Sequence, residues 1–173
     1  MPGMPGVGHA VAIDTVTAYG PCNVKVQPAT YNDRIGTIEL SASFDQLGLR
    51  GESHLIGKFE ITLQPGKRAM GLFRQRYADR LWPIFGFWAV PFAVETALGR
   101  LVPRPSDPDV MLRTAEPGLF AIPPYGAWFE KWDSINLVRA DDLQGPTMAL
   151  VEQAGHCLIN AGEEPTTPEA YRR

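Results

Sequence analysis

Apolar and polar side chains alternate most cleanly at Lys58, Phe59, Glu60, Ile61, Thr62 and Leu63. Successive side chains of an extended chain point to opposite faces, so Phe59, Ile61 and Leu63 would face a core and their polar neighbours water. Ile38, Leu40, Ala42 and Phe44 repeat the pattern one segment earlier. Between them, residues 45–52 contain Gly48 and Gly51, which suit the connection between two antiparallel strands. Residues 11–17 and 23–27 are weaker strand candidates, separated by Gly20-Pro21. Three or four antiparallel strands are expected in this part of the chain.

After Pro65-Gly66 the period changes. Phe73, Tyr77 and Leu81 recur every fourth residue, which predicts a helix ending before Pro83, with Arg76 and Arg80 together on another of its faces. Pro91 suits the first turn of a second short helix reaching Leu98, with Gly99 as its stop. Prolines at 103, 105, 108, 117, 123 and 124 argue for an ordered surface loop over 102–124. Val151, Ala154 and Leu158 lie on one stripe of a helix predicted over 146–160, with Gly162 just beyond its end. The expected fold is therefore α+β, an antiparallel β-sheet from the N-terminal third packed against a few short helices. We expect a single domain over 1–173: an arm at 1–10, a β-rich part at 11–65, helices with aromatic and Pro-rich loops at 66–162, and a polar tail at 163–173.

Composition narrows the class. With 45% hydrophobic and 20% charged residues the 173-residue chain has the profile of a globular protein with one core. Its 17 glycines and 16 prolines favour short elements over long helices. A net charge of −3 gives no overall field that would draw the molecule onto nucleic acid or an anionic membrane, so any such contact needs a local patch. The first six residues lack the basic and apolar regions of a secretory signal, and Cys22 and Cys157 are far apart without metal or disulfide-scaffold spacing. Reduced thiols and a cytoplasmic location are expected.

The local patch exists. Lys67, Arg68, Arg74, Arg76 and Arg80 precede the uncharged run LWPIFGFWAVPFAV at 81–94, which carries Trp82, Phe85, Phe87, Trp88 and Phe92. This run is shorter than the roughly 20 apolar residues that a spanning helix requires, so no transmembrane segment is expected. Arg and aromatic side chains together are typical of energetic hot spots at protein interfaces. Arg74, Arg76, Arg80, Trp82 and Trp88 are accordingly the candidate partner-binding residues of a non-catalytic binding or assembly protein. Its partner would be another protein or a second copy of the chain. Single-stranded nucleic acid is an alternative occupant, with rings stacking on bases and Arg on phosphates. A second aromatic group, Phe120, Tyr125, Trp128, Phe129 and Trp132, follows the Pro-rich stretch and reads as a loop packed by its own side chains.

No motif carries catalysis. The chain has no HExxH, P-loop, GxGxxG or GxSxG pattern, and neither a metal nor a cofactor is expected. His156 and Cys157 are adjacent, but neighbours on a helix do not face each other. The helical phase puts His156 on the polar surface with Glu152 and Asn160, and Cys157 near the apolar stripe. The remaining enzymatic alternative is a small hydrolase that gathers His54, His156 and an acidic residue, and it requires one of these histidines and a carboxylate in a common pocket.

Overall fold

The computed structural model describes residues 14–122, 124–131 and 133–157. It is all-β, which corrects the α+β expectation: among the described residues there are thirteen strands and no helix. In chain order they are β1 (Cys22–Val26), β2 (Thr30–Asn32), β3 (Thr37–Ser53), β4 (Gly57–Leu63), β5 (Ala69–Tyr77), β6 (Arg80–Ala89) and β7 (Phe92–Thr96). They continue with β8 (Gly99–Pro103), β9 (Met111–Thr114), β10 (Trp128–Lys131), β11 (Ile135–Arg139), β12 (Ala149–Val151) and β13 (Ala154–Cys157).

Strand β3 divides the molecule into two leaves. Its first part pairs with β5, from Glu39 opposite Arg74 to Phe44 opposite Ala69. Its last part, Gly48 to Ser53, pairs with β4. The first leaf runs β3-β5-β6-β9-β10-β13, with β1 and β2 on the far edge of β3; the second runs β3-β4-β7-β8-β11-β12. Every pairing is antiparallel. The chain visits the leaves in turn, laying down β4, then β5 and β6, then β7 and β8, then β9 and β10, then β11 and β12, then β13.

The strands predicted from alternation are present. Phe59 is buried on β4 where it faces Gly51 and Thr96 across the ladder. Ala42 and Phe44 are buried on β3. Gly48 and Gly51 lie within β3 and not in a turn, and the hairpin turns instead between Ser53 and Gly57. The predicted helix before Pro83 is the β5–β6 hairpin. Along β5 Ala69, Gly71, Phe73 and Gln75 are buried while Met70, Leu72, Arg74 and Arg76 are exposed, a strict period of two. Positions four apart share a face in a regular strand as well as in a helix, so Phe73 and Tyr77 fit both patterns in the sequence, although an irregularity after Gln75 leaves Tyr77 exposed.

The helix expected after Pro91 is β7, and the stretch at 102–124 contains the end of β8 and all of β9. The C-terminal helix is replaced by β12 and β13 up to Cys157; its last residues, the arm at 1–10 and the tail at 163–173 lie outside the described residues.

Among the described residues three apolar clusters hold the leaves, the smallest being Ala93, Val102 and Val138 in the second leaf. The first leaf buries Ala42, Phe44, Phe73, Trp88, Leu119 and Phe129, among others. The second buries Phe59, Val94, Leu101, Val110, Ile135 and Leu137. Phe92, at the start of β7, packs against both. No helix among the described residues is long and apolar enough to cross a membrane.

Candidate functional site

The inward positions of the first leaf surround a cavity, and both edges of the leaf reach it. Val24 and Val26 come from β1 at one edge, and His156 from β13 at the other. The leaf is therefore curled around its own interior. Leu40, Ala42 and Phe44 of β3, with Phe73, Trp88 and Phe129 of β5, β6 and β10, form the walls. Leu119, Ile122 and Pro124 close it from a strap between β9 and β10, and the neighbouring Phe120 and Tyr125 are exposed. The strap is anchored to β6 by the reciprocal backbone bonds of Ile84 and Leu119, at 3.0 and 2.9 Å.

The walls owe their shape to residue size across the ladder. Gly71 lies opposite Trp88 and Gly86 opposite Phe73. A Cβ on Gly71 would come within 2.7 Å of the Phe73 ring and 2.9 Å of Trp88, and one on Gly86 within 2.5 Å of Phe73 and 2.1 Å of the Leu72 carbonyl oxygen. Both glycines thus give up a side chain so that the rings can lie close to the sheet. Phe44 and Trp88 have centroids 5.1 Å apart, Phe73 and Trp88 5.4 Å, and Phe73 and Phe129 6.0 Å, all tilted or edge-to-face. That geometry suits the quadrupoles of the rings. The room left between them is about 30 Å³, enough for a water or two.

His156 is the one ionisable side chain that lines this space among the described residues. Phe129 stands directly opposite it in the β10–β13 ladder, which fixes both on the inner face. Burial holds its pKa below the ordinary histidine value, because a charged ring would lose its hydration among apolar groups. This corrects the expectation of a surface histidine. Helical phase grouped it with Glu152 and Asn160, whereas a strand turns it towards Phe129. Cys157 is on the opposite face, opposite Trp128, so the two neighbours form no proton-transfer pair. Burial raises the Cys157 thiol, partly offset by a hydrogen bond from the Gly126 backbone, and burial alone pushes Cys22 up to about 11.

The sequence-predicted candidates divide between the two faces of the same hairpin. Trp88 is buried and part of the cavity wall; Trp82 is half-buried and packs against the same core. Arg74, Arg76 and Arg80 are exposed outside. Arg74 pairs with Glu39 at 2.6 Å and Arg76 with Glu116 at 3.3 Å. The Arg76 guanidinium lies over the rings of Phe85 and Tyr77, at 4.9 and 5.8 Å from their centroids, and Arg80 lies 4.2 Å from that of Tyr77. The arginines are thus brought together, but on two strands and not on one helix.

His54 is exposed and 102 positions from His156 in a different leaf. Its backbone N–H, and not its ring, bonds Asp14 Oδ2 at 2.7 Å, and the Ser53 hydroxyl donates to the same oxygen at 2.7 Å. Ser53 Oγ in turn accepts the N–H groups of Leu55 and Ile56, so this Asp-Ser-His sequence caps the β3–β4 turn. Asp14 is held below the usual carboxylate range by the Ser53 hydroxyl first and the His54 backbone next. Among the described residues no group of His, Cys, Asp and Glu could hold a metal ion.

No protein-family model matches the chain, and no curated protein matches it in sequence. In three dimensions it is similar to DynF from the dynemicin biosynthesis pathway of Micromonospora chersina, with a TM-score of 0.63 over 86% of this chain and 77% of that one. At 20% sequence identity this likeness shows the fold alone.

Proposed function

We propose that the chain is a non-catalytic binding protein that takes a small, largely apolar molecule into the curled first leaf. The observation that carries this reading is the cavity wall itself: ring after ring faces inward from strands spanning the leaf, with one polar side chain among them. Ligand sites are concave, mostly apolar and provided with few polar groups. The resting room of about 30 Å³ is small, so Ile122 and Pro124 on the strap must move aside as the ligand enters. His156 argues against the hydrolase, because no carboxylate or hydroxyl nucleophile lines the cavity with it among the described residues.

The reading is tested by titrating the protein with Nile red, whose emission rises in apolar surroundings, and repeating the titration with Ala42→Phe. Ala42 is buried in the wall, and a phenyl ring there fills the room. Saturable binding that the variant loses while keeping its cooperative unfolding supports the proposal. Equal binding by both proteins places the dye elsewhere and defeats it.

Protein association is a second reading, and the outer face of the β5–β6 hairpin favours it. Met70 and Leu72 are 50% and 39% exposed there, next to Arg74 and Arg76. Apolar area ringed by Arg is suited to a protein partner. The ion pairs to Glu39 and Glu116 offset part of the charge that nucleic acid would need. A quantitative pull-down in which Arg76→Ala with Arg80→Ala leaves every partner in place would rule this surface out.

A further inference from the structure

His156 is partly buried on the inner face of the first leaf, lines the cavity there, and makes no side-chain hydrogen bond to any described residue. A polar group taken out of water without a partner costs more than the same group paired, so such groups are normally satisfied. The cavity is one space from which a partner can reach its ring. On the inner face of its own ladder the next pair is Lys131 opposite Ala154, and the Lys131 ammonium is directed to Asp133 at 3.7 Å. The facing walls on β1, β3, β5, β6, β10 and the strap bring no acidic or basic group to the cavity.

We propose that the cavity accepts a flat aromatic molecule carrying one neutral hydroxyl, and that His156 hydrogen-bonds this hydroxyl. The inference rests on the binding-protein reading above and specifies its ligand. The ring system follows from the walls, where Phe44, Phe73, Trp88 and Phe129 already form tilted or edge-to-face pairs and offer the same contact to a guest. The hydroxyl follows from the imidazole. A neutral histidine has one donor and one acceptor nitrogen, and a hydroxyl both donates and accepts, so it satisfies whichever tautomer faces the cavity. A carboxylate would bring a charge into a space with no cation to meet it.

The test uses three probes of one shape at pH 7.5: 1-naphthol, 1-methylnaphthalene and 1-naphthoate, with affinities read from the quenching of tryptophan fluorescence and confirmed by calorimetry. The wild type should bind 1-naphthol roughly tenfold more tightly than 1-methylnaphthalene, the size of effect one buried hydrogen bond gives. It should bind 1-naphthoate more weakly than 1-naphthol. His156→Leu should bind the two neutral probes alike, whereas His156→Gln, which keeps a donor and an acceptor, should retain the preference. Protonation of His156 competes with covering it by a guest, so the wild-type affinity for 1-naphthol should fall as the pH drops through the depressed folded-state value of this histidine, and that of the Gln variant should not.

Equal affinities of the wild type for the two neutral probes, a preference that survives in His156→Leu, or tightest binding of 1-naphthoate would each overturn the assignment. If neither neutral probe binds the wild type, the binding-protein reading itself fails, which is a different result from bound probes without discrimination.

Discussion

In the first leaf the core is made of rings, with Phe44, Phe73, Trp88 and Phe129 meeting at interplanar angles between 54° and 77°. In the second, Phe59 is joined by Val94, Leu101, Val110, Ile135 and Leu137, all aliphatic. Protein interiors are close-packed, and tilted or edge-to-face pairing is the arrangement that ring quadrupoles favour. The cavity lies among the rings, and so does the histidine. The outer faces differ less. Ion pairs lie outside both leaves, Arg50 with Glu60 and Arg100 with Glu95 on the second and Arg74 with Glu39 and Arg76 with Glu116 on the first. Apolar side chains are also exposed on both, Met70 and Leu72 on the first and Leu98 and Leu150 on the second. The second leaf is read as the support and the first as the part that meets a ligand.

Truncation should separate the two most strongly. Phe129→Ala, in the ring cluster, and Leu101→Ala, in the aliphatic one, remove side chains that are each 1% exposed. Losses of about 3–5 and 2–5 kcal/mol respectively are expected from burial and cavity terms. They should differ in rescue. Phe129→Ala enlarges the space proposed to admit a guest, so millimolar 1-methylnaphthalene should raise its melting temperature well above the shift seen in the wild type. The void left by Leu101→Ala is too small for a bicyclic ring and should show no rescue. Equal rescue in calorimetric scans would mean that the two cores are equally receptive, and the division of labour would fall.

The next largest effect concerns the glycines under the rings. Gly86→Ala drives a methyl group to 2.1 Å from the Leu72 carbonyl oxygen, and a backbone atom cannot swing away as a flexible side chain can. A loss of about 1–3 kcal/mol, or more, is expected in urea unfolding. It should be accompanied by weaker Nile red binding, because Phe73 forms the wall next to Gly86. Gly57→Ala, where no atom lies within 4 Å, replaces a glycine of positive φ and tests backbone strain without crowding. It should lower stability while leaving dye affinity unchanged.

A smaller contrast comes from pH. The folded-state pKa of His156 is depressed by burial, so between that value and the unfolded value of about 6.5 the unfolded chain binds more protons. Stability from this group is complete above the unfolded value and is lost as the pH falls through the folded one. Urea unfolding at pH 7.5 and pH 5 should therefore show a decline that His156→Leu reduces. An unchanged decline in the variant would assign it to other groups and place His156 in water.

How far this difference was legible in the sequence depended on the neighbours of each strand. Strand β4 was readable because its outer face carries Lys58, Glu60 and Thr62, so alternation was visible without knowing its partners. Strand β5 was not, since its outer face carries the apolar Met70 and Leu72, its inner face the polar Gln75, and Phe73 and Tyr77 fit both periods. Gln75 is inside because its amide serves the backbone: Oε1 accepts from the Ile38 N–H at 2.6 Å and Nε2 donates to the Tyr77 carbonyl at 2.6 Å. The aromatic and Arg-rich segment was recognised as unusual, but only pairing with β3 and β9 sorts Trp88 inward and Arg74 and Arg76 outward. His156 faces the cavity through its pairing with Phe129, a partner 27 positions away that no local period reveals.

The smallest stability effect is expected outside the first leaf, where Arg76 and Arg80 lie over Tyr77 and Phe85. Arg76 and its partner Glu116 are 49% and 74% exposed, and exposed ion pairs and cation–π contacts each contribute at most about 1 kcal/mol. Arg76→Ala with Arg80→Ala should thus leave the urea midpoint and the Nile red affinity nearly unchanged, in contrast to any change on the inner face of the same hairpin. That neutrality makes the double variant informative. A partner lost from it in a pull-down has lost contacts and not a folded target, and the outer face then acts independently of the cavity. A large drop in stability would instead show that these side chains hold the hairpin together, and the separation between a binding interior and an exterior free to serve as a docking face would not stand.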